Sequence, residues 1–593
     1  MERKDVALQL KWDLTDMYPS DEVWEQEFDN LVKTYENYDF SIFQGKLGDK
    51  QTLLKFFTFN DDISRKIERL FVYAHMSNDQ DVRVSKYNSY MAKMRSLAAK
   101  ISASLAFFEP EMTALDESVL NAYIADPDFA AYDYQLKRIA ASKAHVLSEQ
   151  EEKILALASD VLSGFQGVFG MLDNANLNLP KATLNDEEIQ MSHGMYGYVL
   201  HSGTKEERKE WFEKYYEAYI KLIDAITQTY SGNVKKDIFY KTARKYDSCL
   251  AMALDGEDVS PAVYENLIQA VHGALPTMHR YISLRKEILG YDEQHMYDIY
   301  APLVEDADIK LPFDEAYELV IKGLAPLGED YQNLLRRGKE ERWIDVCENA
   351  GKRSGAYCTG VYDCHPYVML NYQQTTNEIF TIAHEMGHAM HSYKSSAAQP
   401  YTKSQYTIFL AEIASTVNEV LLLKYLYNST QDVNLKKYLL TYYMDMIRAT
   451  LFRQTQFAEF EQIAHAKAES GEPLTKENLC ETYHNLNKQY YGEGIIHDNQ
   501  IAYEWARIPH FYTSFYVYKY ATGIISALSI VKRILTEGEK AVADYFEFLE
   551  GGNCTDPVSI LKKAGVDLTT QTPFVSAMKE FEETLAEFEK LCK

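Results

Sequence analysis

From Trp12 to about Ser163 the apolar positions recur three and four residues apart, for example Leu53, Leu54 and Phe57, then Ile63, Ile67 and Leu70. That period predicts a series of amphipathic helices. Between Asn174 and Ser202 polar and β-prone residues interrupt it (Leu177, Leu179, Pro180, then Tyr196, Tyr198, Val199, Leu200), which predicts a short sheet element and a domain boundary. Thr204 followed by Glu207 is a capping-box pair, so a new helix should begin at Thr204 and run through Trp211 and Tyr215. A second irregular zone covers Gly351 to Tyr372, in which Tyr367 to Tyr372 has the composition of a strand, and a helical pattern resumes at about Asn377. The expected fold is mainly α with a small β element. The expected division is an N-terminal helical region, 1–195, and a second region, 196–593.

Composition agrees with that pattern. Gly (27) and Pro (15) are sparse for 593 residues, which disfavours a turn-rich all-β chain. With 88 acidic against 61 basic side chains the net charge is −27, which excludes a generic nucleic-acid coat. The acidic excess is dispersed, as on solvated helix faces. Seven scattered cysteines without a C-x-x-C pair read as reduced thiols, and no export signal is visible, so the cytoplasm is the expected location. The two most apolar stretches, Ile408 to Leu426 and Phe511 to Leu535, carry Glu412, Glu419 and Lys424, and Lys519, Lys532 and Arg533, and neither suits a bilayer. No membrane partner is expected. The phosphate-cradling G-x-G-x-x-G and Walker patterns are missing, and Gly492-Glu493-Gly494 reads as a turn.

The chemistry concentrates at His384-Glu385-Met386-Gly387-His388. Ile379, Ala383, Met386, Met390 and Tyr393 make a helical stripe, and His384 and His388, at i and i+4, emerge one turn apart beside it. Two imidazoles so placed can share one ion. Glu385 points about 100° round the helix from His384, toward the open position, and is placed as a general base. Gly387 inside a helix implies the close approach of another backbone, either a substrate strand or a packed helix. His391 lies on the ligand face, but the metzincin pattern would require Gly there and His at Lys394. A catalytic zinc has three protein ligands and an open site. The segment Phe409 to Glu419 supplies the third: it is apolar yet carries Glu412 and Glu419 on one face, and a buried carboxylate needs a positive partner. Glu412 closes a His₂Glu site, and Glu419 orients a ligand histidine from behind. The Tyr367 to Tyr372 strand offers its edge to an extended peptide.

Three separated segments, His384 to His391, Phe409 to Glu419, and His510-Phe511-Tyr512 to Phe515 through Gly523, resemble the oligoendopeptidase F branch of the thimet-oligopeptidase-like zinc metallopeptidases. The opening Trp12-Asp13-Leu14-Thr15-Asp16-Met17-Tyr18 is similar to that family's start. The resemblance implies a two-lobed helical body around a deep channel that admits oligopeptides, and one zinc per chain held by His384, His388 and Glu412, with Glu385 as base. It also implies that His510 and a late tyrosine, Tyr512 or Tyr518, with Tyr516 also open, assist the oxyanion. The expected activity is zinc-dependent hydrolysis of internal peptide bonds. A related helical zinc carboxypeptidase or dipeptidase and a non-catalytic peptide-binding module are the alternatives.

Overall fold

The computed structural model of the chain describes residues 1–36, 38–304 and 309–593. Helix accounts for 72% of it and strand for 3%. The residues pack as two compact units. Unit 1 comprises Met1–Val146, Asp308–Tyr425 and Ile530–Val566; unit 2 comprises Leu147–Ala307, Leu426–Ser529 and Asp567–Lys593. Each unit is assembled from separated stretches, so packing divides the chain differently from a single cut after residue 195.

Unit 1 joins the N-terminal helices to the segment that carries the His-Glu motif. In one of its cores Trp24 stacks on Tyr90 (ring centroids 3.8 Å apart) and donates its indole N–H to the Leu70 carbonyl at 2.9 Å. The same core takes in Val361, Tyr367 and Met369. A three-stranded sheet lies there, built of β3 (Ile344–Asp345), β4 (Tyr357–Thr359) and β5 (Tyr367–Met369). The strand order is β3-β5-β4. β5 pairs parallel with β3 (Ile344 opposite Val368) and antiparallel with β4 (Cys358 opposite Val368). All three β5 residues are buried, which suits the aromatic Tyr367, the β-branched Val368 and the apolar Met369. The expected strand at Tyr367 is therefore present, but it is central. Its edges are taken by β3 and β4, so it cannot offer one to a peptide. β4 has no second strand partner among the described residues.

Asp345 on β3 is fully buried between two cations. Arg3 Nη1 donates to its Oδ1 at 2.7 Å and Lys352 Nζ lies 2.7 Å from the same oxygen. The start of the chain is thereby tied to the sheet.

In unit 2 the strands β1 (Lys181–Leu184) and β2 (Glu187–Gln190) form a hairpin. Its turn residues Asn185 and Asp186 both have positive φ (52° and 64°), as a tight primed turn demands. The capping box forms as expected: Thr204 caps the helix Lys205–Ala243 and Glu207 returns a bond to the Thr204 N–H at 2.7 Å. Tyr196 to Leu200, expected to be β-like, is instead helical, within His193–Ser202. Ser192 caps that helix, and Tyr196, Val199 and Leu200 share its buried face. Burial at three- and four-residue spacing outweighs strand propensity here. One further run, Gln150–Asn176, has the length and hydropathy to cross a bilayer, and only 12% of its apolar window is buried.

Candidate active site

The helix Thr376–Ala398 starts where Thr375 accepts a hydrogen bond from the Glu378 N–H at 3.3 Å. Ile379, Ala383, Met386 and Met390 are all fully buried, so the apolar stripe anchors the helix and fixes which way the histidines face. The second helix, Ile408–Ser429, buries Leu410, Ala414 and Val417. The two helices meet at Gly387. A Cβ at that position would lie 2.5 Å from Ser415 Cα and 2.6 Å from the Ala414 carbonyl oxygen. Helix packing, not a substrate strand, is what Gly387 makes room for. Asn418 adds a cross-tie, donating to the Ala383 carbonyl at 3.0 Å and accepting from the Tyr331 hydroxyl at 3.0 Å. The sequence reading passed over Asn418; a buried amide in an apolar helix was the signal for it.

That contact brings Glu412 over the histidine pair. His384 Nε2 and His388 Nε2 are 3.2 Å apart, and Glu412 Oε2 lies 3.4 Å from the first and 3.6 Å from the second. An ion bonded tetrahedrally at about 2.0–2.1 Å separates its donors by about 3.3–3.4 Å. The three donors therefore fit a small dication without rearrangement, and they are the group of the described residues that can hold a metal. On the far side of the ring, His384 Nδ1 lies 2.5 Å from Glu419 Oε1. Glu419 thus anchors the ring through Nδ1, so Nε2 faces the cluster and would be the atom to bind an ion once its own proton is lost.

Charge follows the geometry. Burial alone would lower the His384 pKa, yet Glu412 and Glu419, which accept from its ring, lift it to about 10. His388 is pushed down to about 4 by burial and by the His384 charge. Burial opposes ionisation of Glu412, but the hydrogen bond from His384 overcomes it and holds the carboxyl below its ordinary value. Glu385 is 7% exposed and lines the cavity beside the cluster. Burial, partly offset by His384 and reinforced by Glu412 and Glu419, raises its pKa to about 7.

The cavity holds about 650 Å³ and is bordered by β4, through Tyr357 and Cys358, by Gly360, and by Ser392 and Tyr406. His391 takes no part in the donor cluster. It is fully buried, its ring stacked 3.6 Å from that of Tyr406, and its nitrogens have no hydrogen-bond partner among the described residues.

His510, Tyr512 and Tyr518 belong to unit 2. His510 is exposed, with Nε2 3.4 Å from the Tyr520 hydroxyl and the Tyr516 ring 5.9 Å away. Tyr512 is buried against Phe169 (4.3 Å) and its hydroxyl is 2.7 Å from Thr229 Oγ1. Tyr518 is buried beside Tyr264 and donates to Glu257 at 3.1 Å. The tyrosines gathered around His510 are thus Tyr516 and Tyr520.

The comparisons with known proteins agree with this picture. Residues 198–580 match the model of peptidase family M3, and residues 111–178 match that of oligopeptidase F. The chain is 42% identical over 593 residues to oligopeptidase PepF of Bacillus subtilis (strain 168), covering 100% of this chain and 88% of the relative. A solved structure from Chlamydophila abortus superposes with a TM-score of 0.94 at 36% identity, covering 100% of this chain and 99% of the other. The crystal structure of oligoendopeptidase-F from Enterococcus faecium superposes with a TM-score of 0.73 at 34% identity, covering 96% and 98%. The chain belongs to peptidase family M3, in its oligopeptidase F branch, and is a metallopeptidase.

Proposed function

We propose that the protein is a zinc-dependent oligoendopeptidase that cuts internal bonds of oligopeptides with water as the nucleophile and Glu385 as the general base. The observation that carries this reading is the mutual spacing of His384, His388 and Glu412, 3.2–3.6 Å, next to the buried carboxyl of Glu385. Those three residues would hold the ion. Zinc, when bound, supplies Lewis acidity: it makes water acidic near neutrality and polarises a carbonyl oxygen.

Glu385 does the proton work. Its carboxylate, beside the donor cluster and lining the cavity, can accept the proton of the attacking water and return it to the leaving amine. Glu419 keeps the His384 ring in one tautomer and orientation. The unpaired edge of β4, along the cavity, suits an extended peptide held through its main chain, which makes for tolerance of side chains. His510, with a hydroxyl from its tyrosine group, is assigned to the oxyanion on the family resemblance; a donor of this kind is worth about 2.7–4 kcal/mol of barrier lowering. The seven cysteines are all free thiols, which suits the proposed cytoplasmic location.

The test is cleavage of an oligopeptide blocked at both ends, with products read by mass spectrometry. Internal cleavage that stops with chelator and returns with zinc is expected. Cleavage only of peptides with a free C-terminus, or cleavage indifferent to chelator, would overturn the proposal.

A further inference from the structure

Unit 2 contains a cavity of about 400 Å³ that the chemistry above does not use. Two guanidinium groups line it, those of Arg453 and Arg507. Both donate to one oxygen, Glu504 Oε1, at 2.7 and 2.8 Å, and the Tyr483 hydroxyl takes the other oxygen. Burial would push the Glu504 carboxyl up, but the two arginines hold it at about 2, so it is ionised and already shared. One carboxylate thus balances two guanidinium groups.

A guanidinium has five N–H donors. Arg453 spends one on Glu504, and Arg507 spends one there and its Nε on the Tyr216 hydroxyl at 3.3 Å. The remaining donors have no protein acceptor among the described residues, and none is sealed from solvent. Aromatic rings hold both guanidinium groups: Arg453 lies 4.4 Å from the ring of Phe457. Arg507 lies 6.0 and 5.9 Å from the rings of Tyr196 and Tyr215, which stack on each other at 3.8 Å. Gly197, on the same wall, keeps the space open: a Cβ there would meet nothing within 4 Å.

The cavity is also lined by one carboxylate, Asp173, which accepts from the Tyr219 hydroxyl at 2.7 Å. With Glu504 it brings the charge of the group to zero. A doubly charged phosphate would bring twice the excess negative charge that a single carboxylate brings. A single carboxylate flanked by amide N–H groups would satisfy both kinds of lining residue.

We propose that this cavity binds the carboxylate of a peptide, carried by its C-terminus or by an Asp or Glu side chain. The inference rests on the peptidase reading only for the choice of a peptide as carrier. It depends on neither the metal nor Glu385.

The test is equilibrium binding, by fluorescence anisotropy, to the full-length Glu385→Gln protein with chelator present. One N-terminally labelled hexapeptide is used in three forms: free C-terminus with neutral side chains, C-terminal amide with neutral side chains, and C-terminal amide with one internal Glu. At least one carboxylate form should bind about tenfold or more tightly than the neutral amide, and the form that gains identifies the source. Arg507→Gln should erase that preference and leave the neutral peptide's affinity unchanged. Gly197→Glu, which adds a resident carboxylate in open space and touches neither arginine, should do the same and decides the matter if the arginine variant does not fold. Equal binding of the three forms, or a preference that survives Gly197→Glu, overturns the proposal. New peptide products during the measurement would count against Glu385 as base and leave the cavity's test intact.

Discussion

His384 and Glu419 are joined ring to carboxylate across 2.5 Å, on the side of the imidazole that faces away from His388 and Glu412. The bond fixes which nitrogen is free to act as a donor. Glu419→Gln should therefore lower metal affinity by about 10–100-fold while leaving all three ligand residues in place. Competition with a chromogenic chelator measures this, and unchanged affinity would remove Glu419 from the site.

Glu385 has no part in the donor cluster, so its loss should separate chemistry from metal binding. Glu385→Gln should reduce kcat by about 10²–10⁴-fold with KM and metal content near those of the parent protein. Steady-state kinetics with elemental analysis of the same sample tests it; near-parental kcat would dismiss the base.

Gly387 touches the neighbouring helix backbone where a methyl group has no room. Gly387→Ala should force the two helices apart, cost about 1–3 kcal/mol of stability and reduce bound metal as Glu412 retreats from the histidines. Chemical denaturation and metal content report on the two effects independently.

Glu461 in unit 2 is fully buried, with one oxygen accepting the Phe515 N–H at 3.0 Å and the other without a hydrogen-bond partner among the described residues. Burial, helped by the charge of Asp237 and opposed by that N–H and by Lys519, raises its pKa well above the ordinary value. A raised folded-state pKa gives stability that is complete below the unfolded value, about 4.3, and is lost as pH rises from there toward the folded value. Stability should thus decline as pH rises above about 4.3, and Glu461→Gln should flatten the decline. Denaturation midpoints at three pH values in that range decide; parallel slopes in parent and variant would refute the assignment.

What the sequence made legible was local. The pairing of His384 with His388 depends only on one turn of helix, and the capping box at Thr204 on three residues, so both follow from spacing. Glu412 was legible because a carboxylate stands out in an apolar helix. The close approach at Gly387 could be foreseen, but not that Ala414 and Ser415 make it, because helix neighbours are chosen by packing. For the same reason the strand at Tyr367 was found and its central place in the sheet was not. Tyr196 to Leu200 misled by its aromatic and β-branched content, which tertiary burial overrode. Arg453, Arg507 and Glu504 come from separate elements, and nothing in their spacing shows two cations sharing one anion.

The tie between Arg3 and Asp345 spans 342 residues. At a ribosomal pace of about 5–20 residues per second, an arginine at the front of the nascent chain waits roughly 20 to 70 s for its carboxylate. Unit 1 also takes in Ile530–Val566, so it can close only after that stretch has been made. The early helices can pack with one another around Phe56, Phe57 and Phe129 as they emerge, but the sheet beside the donor cluster must wait for residues made hundreds of positions later.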